Sequence, residues 1–115
     1  MFALGSDHKY FLSFGAIDMR NGIDGLSNII RNRLQYNPLS GEVFIFISRN
    51  RRTVKLLHWE YGGFVLYQKR LEEGTFEIPK YNGDQACYHM DWSSLVMLIE
   101  GITMKKVVRR KRYEL

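Results

Sequence analysis

Apolar residues recur along the chain with two different periods, and the switch between them divides it into elements. In IDMRNGIDGLSNIIRNRL (17–34), Met19, Ile23, Leu26, Ile30 and Leu34 fall on one face at helical spacing, with Ile29 beside them. Asp18 precedes the pattern as the expected N-cap, its carboxylate accepting an otherwise unpaired backbone N–H. Gly22 and Gly25 are unusual inside a helix, where each costs about 1 kcal/mol relative to alanine. Either the helix starts near Asp24 after a turn, or the glycines let another backbone approach closely. Asn37 and Pro38 stop it, because proline disfavours helical geometry in the residue before it.

Beyond a turn at Pro38 to Gly41 the period shortens. VFIFI is a continuous apolar run of strand length, rich in β-branched and aromatic residues, and predicts a strand covered on both faces. SRNRR is a polar break at a hairpin tip, with Asn50 suited to left-handed turn geometry. TVKLLHWE predicts a second strand, with Val54, Leu56 and His58 on one face and Lys55, Leu57 and Trp59 on the other. Tyr61-Gly62-Gly63 signals a hairpin. FVLYQKR follows as a third strand, with Phe64, Leu66 and Gln68 opposed to Val65, Tyr67 and Lys69. Such short connections favour an antiparallel meander.

The flanks carry weaker signals. KYFLSF near the N-terminus predicts a strand at the sheet edge, YNGDQ a turn and ACYHM a short strand. DWSSLVMLIEGI predicts a second helix: Asp91 caps it, Trp92, Leu95, Val96 and Ile99 form its apolar face, and Gly101 ends it. The expected fold class is α+β, an antiparallel sheet with one helix from the N-terminal half and one C-terminal helix packed on it.

Charge changes this picture at one end only. Residues 1–104 hold eleven Lys and Arg against eleven Asp and Glu, whereas 105–115 hold six basic side chains and one acidic. The net charge of +5 therefore lies entirely in the tail, which divides the chain into a globular domain over 1–104 and a basic tail over 105–115. At 115 residues a core needs no disulfide or metal, and the single cysteine, Cys87, excludes an internal disulfide and suits a reducing interior. The N-terminus lacks the pattern of a signal peptide, and VFIFI, the longest apolar run, is far short of a membrane span. The expected location is the cytoplasm.

DMRNGIDGL, NPLSGEVFIFISRNRRTVKLLHWEYGGFVLYQKRLEEGTFEIP and the closing VRRKRY together resemble the small accessory protein, often called TnpB, of the bacterial insertion-sequence family numbered sixty-six. The resemblance runs from about Tyr10 to Tyr113, and KLLHWEYGGFVLYQKRLEEGTF is its most specific block. It implies a protein encoded in a mobile element beside a separate, larger transposase and assisting transposition. It brings no catalytic residues with it, so the chemistry rests on the side chains.

Those side chains argue against catalysis. Metal-dependent transposases need about three carboxylates converging on two divalent ions. Here Asp18 and Asp91 read as caps, Glu72 and Glu73 as a solvated turn, Glu60 as a strand end, and no two carboxylates alternate on a buried strand. Cys87 and His89 alternate, but with only His58 and His8 elsewhere they fall short of a four-ligand zinc pattern, and no oxyanion motif supports a Cys–His nucleophile. No phosphate-cradling glycine motif is present. No enzyme, cofactor, metal or small-molecule substrate is expected.

Binding is better supported. Lys105, Lys106, Arg109, Arg110, Lys111 and Arg112 place six cations within eight positions, and Arg49, Arg51 and Arg52 add three guanidiniums at one hairpin tip. Guanidinium forks match phosphate, and neutralised phosphates release counterions, so these nine residues are the candidate DNA contacts, mainly to the backbone. No recognition-helix pattern predicts base readout. Phe44, Phe46 and Phe64 are expected in the core, whereas Trp59 and Tyr67 are candidates for a partner surface. Two readings follow: a non-catalytic accessory factor contacting DNA through tail and tip, or an adaptor binding the transposase without touching DNA. Membrane attachment by the tail is disfavoured, since no amphipathic apolar face accompanies it.

Overall fold

The computed structural model describes residues 4–15, 17–79 and 85–100. Five strands form one sheet: β1 (Tyr10–Ser13), β2 (Val43–Ile47), β3 (Thr53–Glu60), β4 (Gly63–Arg70) and β5 (Cys87–Met90), in the spatial order β4-β3-β2-β1-β5. Helix α1 (Ile23–Ile29) continues into a wider π-helical turn over Ile30–Leu34, and α2 (Trp92–Glu100) closes the described chain. The α+β class and the β2-β3-β4 antiparallel meander are as the periodicity predicts.

The sheet differs from expectation in one respect. β1 is not an edge strand but lies between β2 and β5, parallel to β2 and antiparallel to β5. Tyr10, Phe11 and Leu12 are all buried, and such an unbroken apolar run marks a strand covered on both faces. The parallel pairing needs a long crossover, which α1 supplies. The short strand expected in ACYHM becomes the edge strand β5, while Gly101 and most of the YNGDQ turn lie outside the described residues.

Period-two alternation gives the sheet two apolar faces, each covered by one helix. Tyr10, Leu12, Val43, Ile45, Val54 and Leu56 pack towards Leu95 and Leu98 of α2, with Phe76 completing that core. Phe11, Phe44, Phe46 and Leu57 pack towards Leu26, Ile30 and Leu34. In α2, Leu98 is buried beside Leu95, whereas Val96 is only half-buried. Asp91 caps this helix as expected: the Ser94 backbone N–H donates to Asp91 Oδ1 at 2.9 Å, which holds the carboxyl below its usual range.

Asp18 does not cap α1. The helix starts at Ile23 with Gly22 in extended geometry at the N-cap, and no side chain caps it. Asp18 instead accepts the backbone N–H and the side chain of Arg20, fixing the turn ahead of the helix. Of the two explanations for the glycines, the late helix start holds. At Gly25 the space a Cβ would need is filled by the Asn21 side chain rather than by another backbone. The helix ends before Pro38, with Gln35 in left-handed geometry and the Tyr36 N–H donating to Ile30 O at 3.0 Å.

Candidate nucleic-acid interface

The Arg-rich tip joins β2 to β3 and owes its shape to two short polar side chains. Ser48 Oγ accepts the backbone N–H groups of Arg52 and Thr53, at 3.2 and 3.0 Å. It donates to Asn50 Oδ1 at 2.8 Å, and that oxygen also accepts the Arg52 N–H at 3.0 Å. Small oxygen-bearing side chains replace backbone partners in this way throughout tight turns. The left-handed residue is Arg51, at φ 61°, and not Asn50, whose side chain is the cap of the turn.

A second segment braces the tip. Leu71 N–H donates to Arg52 O and Phe76 N–H to Arg51 O, both at 2.7 Å, and the fully buried Phe76 ring anchors this segment in the α2-side core. Its backbone lies against one side of the tip: Arg52 Nη1 donates to the Glu72 backbone carbonyl at 3.3 Å, while the Glu72 carboxylate pairs with Arg70 at 3.1 Å. Arg49 and Arg51 are exposed and form no ion pair among the described residues. The tip is therefore cationic at all three arginines, with Arg52 held in place by a backbone carbonyl.

Two clefts adjoin it. One, of about 230 Å³, is walled by Leu12, Phe14, Ile47 and Ile78 and rimmed by Arg49 and Arg51. The other is a shallow, open hollow between Ile17 and Met19 on one side and Ser48, Arg49 and Asn50 on the other. The first opens among residues of the α2-side core and the second among those of the α1-side core, so Arg49 stands between the faces of the sheet. Neither cleft was legible in the sequence, because both depend on β1 lying beside β2.

The six basic residues from Lys105 to Arg112 lie outside the described residues. The described chain stops at the end of α2, where Lys69 Nζ donates to Ile99 O at 2.8 Å, a cation on a helix C-terminus. Lys69 is paired with Val54, two residues from Arg52, so α2 ends at the Arg-rich end of the sheet. Trp59 and Tyr67 are not brought together: Trp59 packs edge-on against Phe64, 4.9 Å between centroids, while Tyr67 packs on the opposite, α2-side face.

The remaining chemistry-bearing groups are elsewhere. His58 is buried with Nε2 at 3.2 Å from Glu60 Oε1 and its ring edge-on to His8. Its alternate position to Glu60 on one strand face was the available signal. Cys87 is half-buried, and burial pushes its thiol up, while His89 is exposed. Among the described residues no three or more His, Cys, Asp or Glu side chains are grouped to hold a metal ion, and no helix is long and apolar enough to cross a membrane.

The family model described as IS66 Orf2 like protein matches residues 8–109. Two similar proteins come from Sinorhizobium fredii. One, titled uncharacterized protein y4jC, is 27% identical over 94 residues, covering 82% of this chain and 79% of its own. The other, uncharacterized protein y4hO, is 31% identical over 83 residues, covering 72% of each. No solved structure matches the chain.

Proposed function

The chain belongs to the IS66 Orf2-like family of transposition accessory proteins, and on that premise we propose that it contacts DNA without catalysis, through Arg49, Arg51 and the basic tail. One observation carries this reading. The only exposed guanidiniums at the turn that no carboxylate or carbonyl engages among the described residues, those of Arg49 and Arg51, stand at the end of the sheet where α2 finishes. Cations gathered at one end of an otherwise charge-balanced chain supply sequence-independent attraction to phosphate. Arg52 contributes less, since its guanidinium is already engaged by the Glu72 backbone carbonyl. The globular part over 1–104 acts as the carrier and 105–115 as the electrostatic arm.

The test is fluorescence anisotropy with a labelled duplex, comparing the full chain, a chain ending at Met104 and the full-length R49Q/R51Q variant. Truncation is expected to weaken binding by about a hundredfold or more and the double substitution by about tenfold, consistent with several phosphate contacts against one or two. Equal affinity for all three contradicts the reading. A second reading, an adaptor for the element's transposase, is favoured by β4, a strand of eight residues that among the described residues is bonded to the sheet only through β3. Such an edge is a template for a strand of another chain. Capture of the transposase by a protein that binds no DNA selects it.

A further inference from the structure

We propose that the Arg-rich end of the sheet holds one step of unpaired DNA strand, with the phosphate on Arg49 and the two adjoining bases parted into the clefts on either side. This rests on the DNA-contact reading above and narrows it from DNA in general to DNA that is locally single-stranded.

The arrangement of charge and apolar wall carries the inference. A site for phosphate alone needs cations and backbone N–H groups, and apolar walls add nothing to it. Here Leu12, Phe14, Ile47 and Ile78 wall the first cleft, and Ile17 and Met19 one side of the second. The charged side chains lining either cleft among the described residues are Arg49 and Arg51, both cationic. Arg49 and Ser48 border both, so a phosphate held by the Arg49 fork has an apolar-walled cleft on one side and a shallow hollow against Ile17 and Met19 on the other. Guanidinium binds phosphate through paired N–H donors, while the flat, weakly hydrated faces of bases suit apolar walls.

Topology selects the unpaired strand. The clefts belong to opposite faces of the sheet, one among α2-side and one among α1-side core residues. Two neighbouring bases can enter them only by separating from each other, which stacking and pairing in a duplex forbid and a single strand allows. The turn that carries Arg49 is held by the Ser48 and Asn50 hydrogen bonds and by the Phe76 segment, so the site is formed before the strand arrives.

The experiment titrates the full chain, at one salt concentration, with a labelled thymidine 20-mer, a blunt duplex of the same length and an abasic 20-mer that keeps the phosphates and lacks the bases. The thymidine strand is expected to bind about tenfold more tightly than either of the others. R49K keeps the charge and removes the planar fork; it is expected to lose about tenfold on the thymidine strand and to change duplex binding less than twofold. Unchanged circular dichroism shows that the variant is folded. Duplex or abasic binding equal to that of the thymidine strand, or an R49K protein that keeps its single-strand affinity, overturns the proposal and leaves the DNA-contact reading standing. Failure to bind any of the three removes both.

Discussion

Lys55 sits within β3 with 6% of its surface exposed and forms no ion pair among the described residues. Its ammonium donates instead to Met19 O at 2.7 Å and Asn21 O at 2.8 Å, tying the turn ahead of α1 to the sheet. K55M fills the same space but leaves those carbonyls without a donor, and is expected to cost about 2 kcal/mol or more in urea unfolding. An unchanged midpoint and slope would mean that water replaces the ammonium. The same turn is fixed from its other side by Asp18, whose carboxyl the Arg20 side-chain hydrogen bonds, above all, hold down at about 2, against 3.8 ordinarily. A depressed folded pKa means that this stabilisation is present above pH 3.8 and drains away as pH falls towards 2. D18N should therefore melt below the wild type at about pH 5, with the difference closing near about pH 2 and shrinking in high salt. A constant difference across that range contradicts the assignment.

At the scale of elements, the β3–β4 hairpin closes through two residues, Tyr61 at φ 50° and Gly62 at φ 83°, between the paired Glu60 and Gly63. Two positive φ values in a two-residue loop define the type I′ turn, which favours Asn-Gly over Tyr-Gly. Tyr61 is fully exposed and packs on nothing that its loss would disturb. Y61N is expected to raise stability by about 0.5–1 kcal/mol in thermal unfolding, and a loss would mean that the ring has a structural contact. This hairpin was legible because alternation and turn residues agree from Thr53 to Arg70, save that Gly63, expected in the turn, opens β4. β1 was misplaced at the edge because four residues offer too little pattern to fix a neighbour, although the burial of Tyr10, Phe11 and Leu12 follows from their being apolar on both faces. Asp18 precedes the apolar period as a cap would, yet the helix starts only at Ile23, at the late start near Asp24 that Gly22 and Gly25 signal. The π-helical turn over Ile30–Leu34 has no signature in the spacing.

Across the whole molecule, charge is separated from architecture. Residues 1–104 carry equal numbers of basic and acidic side chains, and the surplus of +5 follows them in sequence. That separation was visible in the sequence, as was the Arg-rich turn; that the Glu72 carbonyl engages Arg52, and that Arg49 stands between two hollows, required the positions of the 71–76 segment and of β1. The central claim is that this surplus meets phosphate. Its most direct measurement is the dependence of duplex affinity on salt, as a double-logarithmic slope, for the full chain and for the chain ending at Met104. The full chain should give about −4 to −5 and the shortened one about −1 to −2, the phosphates left to Arg49 and Arg51. Equal slopes for the two proteins would contradict the claim.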